Sequence, residues 1–210
     1  MTEQELVARA RAGDQDAFEQ LVLDNQKRIY TLCLRMTGDP EDGQDLAQEA
    51  FLNAWRGLPG FKGDSSFATW VYRLAGNACL DFLRRKKRRQ GVEGGPSMDD
   101  EEGGWAEPAD PRQDPEGETL RRELKQAVEE GLAALPDHHR QVLVMRELSG
   151  LSYQEIGQAL QLDLGTVKSR IARARLALRK ILLQDGNFFG TPASNPSERE
   201  EKGGARRGAL

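Results

Sequence analysis

SYQEIGQALQLDLGTVKSRIARARLALRK, residues 152–180, decides how this chain is read. Ser152 and Glu155 stand in the S-x-x-E order of a capping box, in which hydroxyl and carboxylate each satisfy an orphan amide at a helix start. The short helix they open, through Ile156 and Leu160, gives way to Gln161–Gly165, and a long helix follows over about 164–184. There Val167, Ile171, Ala174 and Leu178 sit at offsets 0, 4, 7 and 11, a narrow stripe that must face a core. The opposite face carries Ser169, Ala172, Arg173, Leu176 and Lys180, flanked by Thr166, Lys168 and Arg179. Six basic residues and no acidic one fall between Leu164 and Gln184. A solvated surface helix usually mixes signs for pairing one turn apart. This one does not, and with the capped helix and turn before it the pattern describes a helix-turn-helix whose second helix enters a DNA groove.

Working outward, helical patterns over 119–134 and 137–148, separated by Leu135-Pro136, complete a unit of 119–185. Before it lie residues 91–118, with six Gly, four Pro and no apolar period. Such a segment cannot offset its ordering entropy by burial, and is expected to be a flexible linker kept extended by its own charge. The tail 186–210, rich in Gly, Pro, Ser and charge, is expected to be disordered.

Residues 1–90 form the other unit. Leu6 and Val7 open a short helix, and Asp14 or Asp16 can cap a longer one through Phe18, Leu21, Val22, Ile29, Leu32 and Met36. Asp39-Pro40-Glu41-Asp42 is a helix start, with a capping Asp, Pro at the first helical position and acids in the first turn. That helix stops at Gly57-Leu58-Pro59-Gly60; a loop to Ser65 follows, and another helix runs from near Ser66 to the basic run 84–89. The fold class is therefore all-α: two small helical domains joined by a flexible acidic linker.

The net charge of −4 hides an asymmetry. Residues 91–118 carry 1 basic and 10 acidic residues, whereas 1–90 carry 14 and 13 and 119–185 carry 11 and 8. Both units are mildly basic, which leaves a nucleic-acid partner open. No apolar run approaches the ~18 residues of a membrane span. Cys33 and Cys79 in helical apolar settings read as reduced core residues of a cytosolic protein, and MTEQELVARA is too polar and acidic for a signal peptide.

Six of the thirteen aromatics fall between Trp55 and Phe82, mixed with Lys62, Arg73, Asn77 and the basic run. Aromatics that stack on unpaired bases, with cations along the backbone, suit single-stranded nucleic acid. Plain core is the competing account for Trp70 and Phe82, while Phe61, in the loop between Gly60 and Lys62, favours function. Asp42, Asp45 and Glu49 share a helix face; with no His nearby they suit a basic partner better than a metal. His138 and His139 should point about 100° apart on a helix, which argues against a shared ligand role.

These motifs resemble those of bacterial sigma factors. DPEDGQDLAQEAF from Asp39 resembles the polymerase-binding region 2.2, FKGDSSFATWVYRLAGN from Phe61 resembles the melting and −10-reading regions 2.3 and 2.4, and residues 151–175 resemble region 4.2. Without room for regions 1.1 or 3, the match is to the extracytoplasmic-function group, over 6–89 and 119–183. The resemblance implies a non-catalytic, cytoplasmic initiation factor without cofactor or metal. Its partners would be core RNA polymerase (clamp helices and flap), promoter DNA and an anti-sigma factor. Asp42, Asp45, Gln48, Glu49 and Phe51 would meet polymerase. A −10 base would be captured around Phe61, Lys62, Gly63, Asp64 and Ser65, with Phe67, Trp70, Arg73 and Asn77 alongside. Lys168, Ser169, Ala172 and Arg173 would read the −35 element, with Arg146, Tyr153, Thr166 and Arg175 near phosphates. Asp163 departs from the family, which often has Pro there, and the small Ala172 leaves the −35 preference open.

A free-standing helix-turn-helix regulator would leave the aromatic loop and acidic helix unexplained. A metal hydrolase lacks ligand spacing, a phosphate loop and any nucleophile–base pair. With a linker of this length, the two domains are expected to have no fixed mutual contact.

Overall fold

The computed structural model describes residues 1–89 and 115–184, with side chains from residue 121 in the second stretch, and its regular elements are all helical. The linker up to residue 114 and the tail from 186 lie outside the described residues. In the first half, α1 (Glu3–Arg11) starts from a Thr2 capping box, α2 (Gln15–Thr37) from Asp14 and α3 (Pro40–Gly57) from Asp39, whose carboxylate accepts from the Glu41 and Asp42 amides. A single turn of 3-10 helix, Leu58–Gly60, leads to the loop before α4 (Phe67–Arg89). In the second half, α5 (Pro115–Ala133), α6 (Asp137–Leu143), a π turn (Val144–Leu148), α7 (Tyr153–Leu160) and α8 (Leu164–Gln184) follow.

One boundary moves. Helix α5 begins inside the stretch expected to be linker, at an Asp114-Pro115-Glu116 run that repeats the start pattern of α3.

In the first half α2 is the axis against which α1, α3 and α4 pack. Its Leu21, Ile29, Leu32, Cys33 and Met36 are fully buried, each large aliphatic side chain contributing about 1.5–3 kcal/mol. Gly43 lets α3 approach closely, since a Cβ there would lie 2.9 Å from the Leu34 Cα. Cys33 and Cys79 are free thiols buried together between α2 and α4. The Cys79 neighbour, with burial added, pushes the Cys33 thiol far up, so Cys33 is not a ready thiolate.

The expectation that the halves lack mutual contact is overturned. Helix α4 packs on α7, and α2 packs on α5, α6 and the π turn, within one continuous core. Arg140 joins the halves: its guanidinium donates to the carbonyls of Leu132 (2.8 Å), Leu135 (3.3 Å) and Ala133 at the end of α5, and to Met36 on α2 (2.6 Å). Arg35 pairs with Glu129, and Lys87 with Asp137 at 2.9 Å. At Gly76 an added Cβ would stand 2.5 Å from Gln141 Nε2, so α4 presents a bare backbone strip to α6. Linker composition reports the entropy of a tether and says nothing about complementarity between the faces it joins, which is why this packing was not legible.

Candidate nucleic-acid interfaces

The loop from Phe61 to Ser66 is held at its junction with α4. Ser66 Oγ accepts from the Thr69 amide at 3.0 Å, and Glu3 of α1 accepts from the Phe67 amide at 3.0 Å, so two orphan donors of α4 are satisfied. Gly63, at φ +80°, makes the turn that an L side chain resists. Between loop and helix lies a cleft of about 270 Å³ lined by Phe61, Lys62, Asp64, Ser65, Thr69 and Trp70, with Arg73 at its edge. It is smaller than the roughly 300–1,000 Å³ of a drug-sized ligand site.

Phe61 stacks on Trp70 with centroids 4.7 Å apart and planes at 23°, and Phe67 meets Trp70 edge-on at 6.0 Å. Phe61, expected as the loop aromatic that favours function, is buried in the wall of the cleft, while Phe67 is sealed in the core. Lys62 and Asp64 are exposed and Ser65 and Arg73 half-exposed, so the polar rim is available, whereas Gly63 and Asn77, also exposed, do not line the cleft. Thr69 was missed, although its place three residues after the capping Ser66 is the available signal. Gln158 also lines the cleft. It comes from the other half, and no local pattern could have found it.

In the helix-turn-helix, Ser152 Oγ accepts from the Glu155 amide (3.2 Å) and Glu155 accepts from the Ser152 amide (2.7 Å), which closes the capping box. These bonds from Ser152 hold the Glu155 carboxyl below its usual value. The turn follows through Gln161, which takes the left-handed conformation at φ 55°. Gly157 admits it, since a Cβ there would lie 2.9 Å from the Leu162 carbonyl oxygen. Asp163 caps α8, accepting from the Thr166 amide at 2.9 Å, and the Thr166 bonds lower its pKa. The place where the family often has Pro is therefore filled by a helix cap.

On α8, Val167, Ile171 and Ala174 are buried, whereas Lys168, Ser169, Ala172, Arg173, Leu176 and Lys180 are exposed, in line with the angular division. Thr166 is half-exposed. Two cations assigned to phosphates are engaged internally. Arg146 donates to the Leu151 carbonyl at 2.8 Å and lies over the Tyr153 ring at 4.9 Å. Arg175 donates through Nε to Glu147 at 3.0 Å, and that carboxylate raises its pKa. The His138 and His139 rings, expected to diverge, stand with centroids 4.3 Å apart and planes tilted at 58°.

A second concavity of about 590 Å³ lies between α2 and α3, lined by Val22, Gln26, Tyr30, Ala47, Gln48 and Phe51. Of the residues assigned to polymerase, Gln48 and Phe51 line it, Asp45 and Glu49 are exposed on α3 outside its lining, and Asp42 pairs with Lys86 at 3.4 Å. The α2 wall was not anticipated, because its apolar residues read as ordinary core period. Among the described residues no group of three or more His, Cys, Asp or Glu could hold a metal, and no helix is long and apolar enough to cross a membrane.

With this geometry in hand, the chain was compared with known proteins. Residues 21–89 match the model of sigma-70 region 2, and residues 125–178 that of sigma-70 region 4. The RNA polymerase sigma-H factor of Pseudomonas aeruginosa is 41% identical over 182 residues, spanning 86% of this chain and 93% of that protein. The ECF RNA polymerase sigma-E factor of Escherichia coli is 39% identical over 181 residues, 85% and 93% of the two chains. Among solved structures, CnrH in complex with the cytosolic domain of CnrY superposes with a TM-score of 0.64 at 27% identity, covering 87% of this chain and 98% of that one. The helical fold, its aromatic-walled cleft and acid-free α8, and these likenesses agree: the chain belongs to the extracytoplasmic-function group of the sigma-70 family of RNA polymerase sigma factors, and directs transcription initiation at promoters.

Proposed function

We propose that the two halves divide promoter reading between them, as a non-catalytic, cytoplasmic subunit of RNA polymerase. The α2–α3 concavity, with Gln48 and Phe51 in its wall and the exposed Asp45 and Glu49 on the same helix, docks the polymerase clamp. The loop cleft receives one unstacked −10 base against the Phe61–Trp70 wall, with Lys62 and Arg73 toward the backbone. Helix α8 enters the major groove of the −35 element, where Arg173 and Lys168 meet base edges and Ser169 and Ala172 allow close approach. An anti-sigma factor is the natural regulator. The RpoE of Bartonella quintana, solved in complex with the anti-sigma factor NepR, shares this fold at a TM-score of 0.61.

The observation that carries the reading is the α8 face, exposed and free of acids over its whole length. Its test separates base reading from phosphate attraction. Arg173→Ala, assayed with core polymerase on a panel of −35 variants, should lose about 1–3 kcal/mol of discrimination at one base pair and keep its preferences elsewhere. An equal loss on every variant would refute base reading by α8.

A further inference from the structure

Leu176 is 66% exposed, and among the described residues only Met1, at the chain end, leaves more of a large apolar side chain in water. On an ordinary surface a lone exposed leucine calls for no explanation. This one lies nine residues beyond Val167, about 180° around α8 from the buried stripe. It is the centre of the exposed face that carries Ser169, Ala172, Arg173 and Lys180. Ala172 stands one turn before it, so the two make a short apolar strip bordered by Arg173 and Lys180, on a helix without an acid. The cations draw this face against phosphates, and what then meets a leucine at its centre is a base edge. In the major groove adenine, guanine and cytosine offer N or O atoms that a leucine would strip of water and leave unpaired. Thymine offers a methyl group.

We propose that Leu176 is a specificity-determining residue of the −35 contact: with Ala172 it packs on a thymine methyl group, about one or two base pairs from the pair read by Arg173. The inference rests on the groove-insertion reading of α8, and adds a base preference that the charged residues do not supply. The spacing follows from the helix rise, since three residues advance about 4.5 Å and one base pair takes about 3.4 Å. Leu176 carries no charge, so its loss changes base preference and leaves the salt dependence of binding as it was.

The experiment uses the full chain assembled with core polymerase, and promoter duplexes that this holoenzyme selects from a pool randomised upstream of the −10 element. Arg173→Ala first locates its own base pair. Each thymine of the selected upstream sequence is then replaced singly by deoxyuridine, which lacks the methyl group and keeps every hydrogen-bonding atom. One thymine, within about two base pairs of the Arg173 position, should bind about fourfold less tightly as deoxyuridine, the factor for burying one methyl-sized group. In Leu176→Ala holoenzyme that ratio should fall to about one, with the Arg173 preference, the salt slope and the affinity for core polymerase unchanged. Leu176→Met, which keeps the apolar bulk, should retain most of the ratio. A Leu176→Ala holoenzyme that keeps the full deoxyuridine penalty overturns the inference, as does a selected sequence with no methyl-sensitive thymine near the Arg173 pair. Weakened core binding at an intact penalty also overturns it, and assigns Leu176 to polymerase instead. Should Arg173→Ala leave every base preference intact as well, the groove reading of α8 itself falls, a result distinct from loss of the Leu176 contact alone.

Discussion

Arg140→Ala should cost about 3–5 kcal/mol and split the unfolding transition in two. The guanidinium donates to four carbonyls, three where α5 ends and one on α2, at positions where helix termini leave acceptors without partners. Hydrogen bonds from a charged donor contribute about 1.5–3 kcal/mol each, so four would exceed the whole stability of many domains. Two effects reduce the sum. Burial disfavours the charge, and pushes the Arg140 pKa down against the opposing pull of Asp137. Ala133 is exposed, so water can replace one donor after truncation. What is left is the range seen when one partner of a buried charged network is removed. The measurement is urea unfolding followed by far-ultraviolet circular dichroism and by Trp fluorescence, since Trp55 and Trp70 report on the first half. Wild-type chain should give coincident curves. The variant should separate them, because the Met36 bond runs between the halves. Arg140→Lys should fall between the two, with fewer acceptors reached. A loss below about 1 kcal/mol, or coincident curves in the Ala variant, would show that Arg140 does not tie the halves together.

Further outcomes follow from the helix-turn-helix. The Glu155 carboxyl is held below its ordinary value of 4.5 by Ser152, so its contribution is complete above that pH and disappears as pH falls through the depressed native value. Glu155→Gln should lower the neutral plateau of the stability–pH curve and flatten its acid limb, so that variant and wild type converge at low pH. Gly157→Ala sets a Cβ against the Leu162 carbonyl and should cost about 1–3 kcal/mol in thermal unfolding, with weaker −35 duplex binding. Glu147→Gln frees Arg175 from its carboxylate, and should tighten duplex binding and steepen its salt dependence by up to about one unit, measured by fluorescence anisotropy across a salt series.

Elements were legible wherever a cap and a period agreed. Asp39-Pro40, Ser152–Glu155 and the 0, 4, 7, 11 stripe of α8 each placed a helix and its buried face, because these signals act within one or two turns. The rim of the loop cleft was legible for the same reason, from its Gly and charged residues. Other features depended on contacts distant in sequence. Phe61 could be read as free or buried until Trp70, nine residues on, was placed beneath it. Arg146 and Arg175 looked like phosphate ligands because charge is visible in a sequence and its internal partners, Leu151 and Glu147, are not. Gln158 and Arg140 owe their roles wholly to the packing of one half on the other.

The bond from the Phe67 amide to Glu3 gives the first helix a significance that its position conceals. Residues 1–20 precede the stretch matched by the region 2 model, so a recombinant fragment trimmed to the matched boundaries would discard them. Such a fragment would keep every residue of the Phe61–Ser66 loop, proposed above to read the promoter, and lose the carboxylate that fixes one end of it. Alpha-helical content would barely register the difference, while the loop would sample more conformations and pay a larger entropic cost on engaging DNA. Affinities measured on a minimal fragment would then understate those of the intact chain, and the shortfall would be misassigned to the missing second half.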